Sequence, residues 1–170
     1  MINILVQVFQ DLAEPIQYLP MGLVVASIIL FILALNDRRS LYRPKTWATA
    51  LLCLYLTIVL FYAFFSREPG SRTSVDLVPF STWGATAKAK AFVLENILMF
   101  IPMGWLLPKV FGRLRTWQLC IFAGFVFSFG LELAQFLTGR GYCQTDDVIM
   151  NTLGTGIGWL LSYRYSTKGK

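Results

Sequence analysis

Charged positions along the chain are gathered into short clusters that separate long apolar blocks. No charge occurs from Ile16 to Leu35, and none from Trp47 to Phe65. A helix rises ~1.5 Å per residue, so each block can cross the ~30 Å hydrocarbon core of a bilayer. Three further blocks follow after Lys90, Thr116 and Asp146. The pattern predicts an all-α membrane protein, a bundle of about five transmembrane helices at residues 16–36, 47–65, 91–110, 117–137 and 147–163. Ahead of them, Asn3, Gln7, Gln10, Asp11 and Glu14 recur at helical spacing, opposite Ile2, Leu5, Val8, Phe9 and Leu12. Residues 1–15 are therefore expected to form an amphipathic helix lying in the membrane interface. They lack the basic start of a signal peptide.

The connections are uneven. Ser66–Gly84 is the longest polar stretch, with Pro69, Gly70 and Pro79, and Thr138–Asp146 is a second polar loop. Ser81 or Thr82 is the expected cap of a helix that begins near Ala85, and Pro102 is expected to kink the third span.

Composition agrees with this reading. The 170 residues are 56% hydrophobic and 14% charged, against roughly 25% charged in soluble domains. The net charge of +6 does not indicate a nucleic-acid partner, because the basic residues sit between spans as topology determinants do. Ten of the fifteen (Arg38, Arg39, Arg43, Lys45, Lys109, Arg113, Arg115, Arg164, Lys168 and Lys170) fall on one side. Arg67, Arg72, Lys88, Lys90 and Arg140 fall on the other. The positive-inside rule then puts the N-terminus outside and the C-terminus in the cytoplasm, with the plasma (inner) membrane as the expected location. The three cysteines, Cys53, Cys120 and Cys143, show no paired spacing of a disulfide framework. Without histidine the chain can form neither a Ser-His-Asp triad nor a histidine metal site.

Polar residues within the spans converge on one end. Glu95 and Asn96, Glu132 and Gln135, and Asp147 and Asn151 belong to three different spans. Glu95, Glu132 and Asn151 each lie four or five residues inside the predicted boundary, roughly 6–8 Å deep. Glu132 and Gln135 share a face, as do Asp147 and Asn151. Arg140 lies between the fourth and fifth spans and is expected to pair with at least one of Glu95, Glu132, Asp146 or Asp147. The plainer reading makes Asn96, Gln135 and Asn151 interhelical hydrogen-bond glue, worth ~0.6 kcal/mol each. Asp146, expected to be more exposed than Asp147, would answer the helix dipole. Gly154 and Gly158, and Gly124 with Ser128, are small-residue pairs that mark close helix packing and permit a homodimer.

Three elements resemble the VanZ-like family. Asn96-Ile-Leu-Met-Phe-Ile-Pro-Met-Gly104 is similar to its N-x-x-x-F-x-P-x-G segment. The stretch from Glu132 through Gln135, Arg140, Asp146, Asp147 and Asn151 to Gly154 resembles its second signature, and Leu77-Val78-Pro79-Phe80 its short element before the third span. The resemblance covers residues 76–161. Asp76 stands where the family more usually has Asn, and Gln144 where an additional acid is common. The resemblance implies a small bacterial membrane protein from a family whose named member is associated with teicoplanin resistance. It also implies that Glu95, Asn96, Glu132, Gln135, Arg140, Asp147 and Asn151 form one site.

Two classes of function follow. The first is an envelope protein with an outward-facing polar site that binds, or modifies access to, a lipid headgroup, a cell-wall precursor or a glycopeptide antibiotic. Its partners are then membrane lipids and a lipid-linked or glycopeptide ligand. Phe80, Trp83, Phe136 and Tyr142 would rim the site or sit in the aromatic belt. The second is a membrane enzyme that uses carboxylates and Mg²⁺ on a lipid or prenyl-phosphate substrate. No nucleophile or cofactor motif is visible, so the expectation is a non-enzyme with no cofactor and no resident metal. A transporter is disfavoured by the lack of an inverted repeat.

Overall fold

The computed structural model describes residues 2–70, 75–81 and 86–168. Arg72, Thr82, Trp83 and Lys170, used in the sequence reading, lie outside the described residues. Among these residues six α-helices run in the order α1 (Ile2–Ala13), α2 (Leu19–Asn36), α3 (Pro44–Leu60), α4 (Ala87–Val110), α5 (Trp117–Leu137) and α6 (Thr145–Lys168). A 3₁₀ turn, Glu14–Tyr18, joins α1 to α2, and a π-helical turn, Phe61–Phe65, extends α3. Two short strands, β1 (Val75–Asp76) and β2 (Cys143–Gln144), pair in parallel with Val75 opposite Cys143 and Asp76 opposite Gln144.

Among the described residues four helical stretches are long and apolar enough to cross a membrane: Val6–Asn36, Pro44–Phe65, Lys88–Val110 and Trp117–Leu137. Helix α6 has 24 residues, a sufficient length, but is more polar than these four. The reason is its position. It packs against both α4 and α5, so Asp146, Asn151, Thr155 and Ser162 are buried against protein, while Leu153, Leu160, Leu161, Tyr163 and Arg164 are exposed.

Local chemistry sets the ends. Pro44 opens α3 and Pro20 lies in the first turn of α2, positions where a missing N–H costs nothing. Asp37 accepts the Arg39 N–H at 2.9 Å and pairs with Arg43 at 3.0 Å, closing the basic turn between α2 and α3. Helix α4 is capped by Thr86, whose hydroxyl accepts the Ala89 N–H at 3.2 Å. Ser81 is not that cap, because the helix begins at Ala87, later than expected, and Thr82 lies outside the described residues. Pro102 and Pro108 both lie inside α4. Pro108 deprives the Gly104 carbonyl of its helical donor, and the Cys120 thiol of α5 stands against that oxygen at 3.9 Å. Near Pro102 the Tyr55 hydroxyl donates to the Met99 carbonyl at 2.9 Å. Neighbouring helices in this way satisfy backbone that proline disturbs.

The centre of the bundle is the α4–α6 contact. A Cβ at Gly154 or Gly158 would overlap the carbonyl oxygen of Ile97 or Ile101, and one at Gly104 the carbonyl of Thr155. At Gly124 of α5 it would overlap the Thr155 side chain. The helices therefore meet backbone to backbone, and Phe100, Met103, Leu106, Leu107 and Cys120 fill the space beside them with Ala48 and Leu52 of α3. Helix α1 packs on α4, with Val8 buried and Phe9 76% exposed. At the end away from the polar loops, Lys109 lies in the last turn of α4, where its ammonium donates to Ser162 at 2.9 Å and covers the Trp105 ring.

Gly158→Val is expected to cost about 3 kcal/mol or to block folding, because the backbone carbonyl it meets cannot give way. Gly130→Ala on α5, where nothing lies within 4 Å of the new methyl, is expected to be tolerated. Melting temperatures in detergent check the contrast.

Candidate functional site

The N-terminal ends of α4 and α6, the π turn that extends α3, the segment after α5, and α1 meet at one end of the bundle around a cavity of about 450 Å³. Its wall includes Asp11, Arg67, Glu95, Asn96, Asp146 and Asp147. The central contact is between helices: the Asn96 amide donates to the Asp147 carboxylate at 2.7 Å. Glu95, on the same turn of α4, lines the cavity together with Asp11 of α1, and its Oε1 is buried without a partner among the described residues. Asp11 also accepts from Gln7 at 3.2 Å. Tyr62, Lys88, Tyr142 and Gln144 complete much of the polar lining.

Asp146 reverses its expected exposure. It is 2% exposed, whereas Asp147 is half-buried. The cause is the Leu77–Phe80 loop, which folds onto the start of α6. Phe80 adopts a left-handed φ of 64°, and its N–H donates to Asp146. Asp76 holds the base of the same loop, accepting from Val78 N–H at 3.1 Å and Ser81 hydroxyl at 2.6 Å.

The other candidate residues stand behind the wall. Glu132 accepts the Gln144 N–H at 3.1 Å. Gln135 donates to the Ala63 carbonyl in the π turn at 2.7 Å, and Asn151 donates to Ser128 at 2.9 Å. Both amides are almost fully buried between helices. Arg140 does not meet any of the acids proposed for it. Its Nη1 donates to the carbonyls of Phe64 at 3.1 Å and Arg67 at 2.7 Å, and its guanidinium lies 4.9 Å over the Phe64 ring. The carbonyls at the end of α3 lack helical donors, and a cation suits that negative end of the helix dipole. They take up the guanidinium in place of a carboxylate.

The cation beside the acids is Arg67, whose field reaches both Glu132 and Asp147. In the sequence it was only one of the basic residues counted for topology. Its place directly after the second span, at the end that carries the acids, was the available signal. Gly141 makes room for it: a Cβ there would stand 2.9 Å from Arg67 Nη1 and 3.0 Å from the Gln135 side chain. Asp11 was missed because residues 1–15 were assigned to the interface rather than to the α4 wall. Cys143, in the strand beside the site, has its thiol pKa raised by burial and then by the neighbouring Glu132 charge.

Chemically, the cavity offers four carboxyl groups, Asp11, Glu95, Asp146 and Asp147, against Arg67 and Lys88. Among the described residues no three Cys, Asp or Glu side chains gather as metal ligands.

The family model described as VanZ/LLP1 matches residues 46–166. Protein VanZ of Enterococcus faecium is 29% identical over 131 residues, covering 73% of this chain and 78% of that protein. No solved structure matches the chain.

Arg140→Ala is expected to lower stability by about 2 kcal/mol through the lost charge-assisted bonds to α3, read as a lower melting temperature. For Cys143, a raised thiol pKa means less thiolate at about pH 7.5 than in a free cysteine. Maleimide labelling should therefore be slow there and accelerate as pH rises. Glu132→Gln removes the adjacent negative charge and should speed it. An unchanged rate in that variant would show that the carboxylate does not act on the thiol.

Proposed function

Because the chain belongs to the VanZ/LLP1 family, we propose that it is a bacterial envelope membrane protein whose end cavity binds the polar head of an envelope amphiphile. The amphiphile is a lipid headgroup, a cell-wall precursor or a glycopeptide antibiotic of the teicoplanin type, and the protein acts by holding it or modifying access to it. The observation that carries the reading is the Asn96–Asp147 contact in the wall of an acid-rich cavity open at one end of a multi-pass membrane protein. Acids with amides suit an amine or a sugar hydroxyl, and Arg67 suits a phosphate or carboxylate on the same ligand. Charged groups at this depth are costly to keep without such a role. In this reading the cavity faces outward, the N-terminus is outside, the C-terminus is cytoplasmic, and the membrane is the plasma membrane. A homodimer, if formed, would use another surface than Gly154 and Gly158, which α4 of the same chain already covers.

The magnesium-dependent enzyme has no observation in its favour. Asp146, half of the acid pair that suggested it, accepts a backbone N–H from Phe80.

The test combines topology with susceptibility. In a variant retaining Cys143 as its only cysteine, an impermeant thiol reagent at alkaline pH should label intact cells. Labelling only after permeabilisation would turn the cavity to the cytoplasm and sink the outward-facing reading. In a susceptible host, the wild-type chain should raise tolerance to teicoplanin and Asp147→Asn should remove the effect. Equal tolerance with and without the wild-type chain would remove the antibiotic from the ligand classes.

A further inference from the structure

A second concavity lies on a different face of α3 from the cavity. Helices α3 and α5 are joined near their site ends by the Gln135 and Arg140 bonds, and part below them to leave a groove of about 480 Å³. Its walls are Leu60, Phe64 and Phe65 on one side and Val126, Leu131 and Ala134 on the other. Phe127 and Gly130 form the rest, so no polar side chain lines it. Gly130 leaves part of it vacant, since a side chain there would meet nothing within 4 Å. Both helices cross the membrane. From Val126 to Ala134 the groove runs about 12 Å along α5, most of the ~15 Å depth of one leaflet. At that depth its occupant is hydrocarbon.

A cation stands against one wall of the groove. Phe64 and Phe65, in the turn that ends α3, line it, and Arg140 lies over the Phe64 ring and bonds the carbonyl of Phe64. Only Nη1 of Arg140 is used in these bonds. Its Nε and Nη2 N–H groups donate to nothing among the described residues. These two groups form one edge of the guanidinium plane, the geometry that takes two oxygens of a phosphate at once. An apolar slot of leaflet depth under a free bidentate donor matches a chain joined to a phosphate.

We propose that this groove binds one acyl chain of an anionic phospholipid, with its phosphodiester on the Nε–Nη2 edge of Arg140. The site is separate from the acid-rich cavity and does not depend on what that cavity holds. Arg140 then serves two partners at once, with one nitrogen closing the end of α3 and the opposite edge holding the lipid.

Native mass spectrometry of the full chain in detergent, with equal amounts of dioleoyl phosphatidylglycerol and dioleoyl phosphatidylcholine, tests the proposal. The wild-type protein should retain one phosphatidylglycerol per chain and prefer it about tenfold over phosphatidylcholine. Gly130→Phe fills the groove from within and should lose that lipid while keeping its melting temperature; Ala134→Leu is the second filling variant should the first fail to fold. Arg140→Lys keeps the charge but not the two-pronged edge, and should reduce the preference for phosphatidylglycerol. Equal retention of the two lipids by the wild type would overturn the proposal, as would unchanged binding in a folded groove-filling variant. A dimer that Gly130→Phe splits would also overturn it, assigning the groove to a second copy of the chain.

Discussion

The contact without side chains between α4 and α6 governs the rest of the molecule. Gly154 and Gly158 meet the carbonyls of Ile97 and Ile101, and Gly104 meets that of Thr155, so the two helices run in the same direction with backbone against backbone. In a bilayer no hydrophobic force draws helices together, since lipid is as apolar as leucine; close van der Waals packing does. Helix α5 must return the chain between them, and Gly124 admits it against Thr155. Once these three helices are locked, Asn96 and Asp147 stand at one end within hydrogen-bonding distance. The polarity of α6 also becomes tolerable, because Asn151 and Thr155 are enclosed by protein.

Around that core the polar residues divide into two kinds. Gln135, Asn151 and Arg140 tie helices together, each bonded to a backbone carbonyl or hydroxyl of another element. Asp11, Glu95, Asn96 and Asp147 face the cavity. Glu132 stands between the two groups, bonded to the backbone of the strand that carries Gln144 and near enough to Arg67 and Asp147 to share their field. A signature drawn from several helices therefore mixes structural and ligand-facing positions, and its members are not interchangeable in mutagenesis.

Much of the architecture was legible from residue pattern alone. Uncharged blocks such as Trp47–Phe65 require membrane-spanning helices because a bilayer leaves unpaired backbone no other outlet. Glu95, Asn96 and Asp147 stood out as one end of the bundle because ionisable groups are rare at such depth. The error over Arg140 has a plain cause. Counting acids near a guanidinium ignores the carbonyls at the end of α3, which also seek donors and lie closer. Asp146 was misplaced because its burial comes from the Leu77–Phe80 loop, more than sixty residues away in the chain.

The sequence by itself determined the long apolar helices, the glycine positions and the end of the bundle at which polar groups collect, since these follow from transfer into hydrocarbon and from helical period. Tertiary structure alone decided which cation serves the acids, which helix closes the cavity, and where α3 and α5 part. Those outcomes depend on side-chain reach and on competition among donors and acceptors from distant segments. Arg67 lines the cavity with Asp147 while Arg140 turns to α3, because backbone carbonyls at a helix end and carboxylates compete for the same donors and proximity in the fold decides between them.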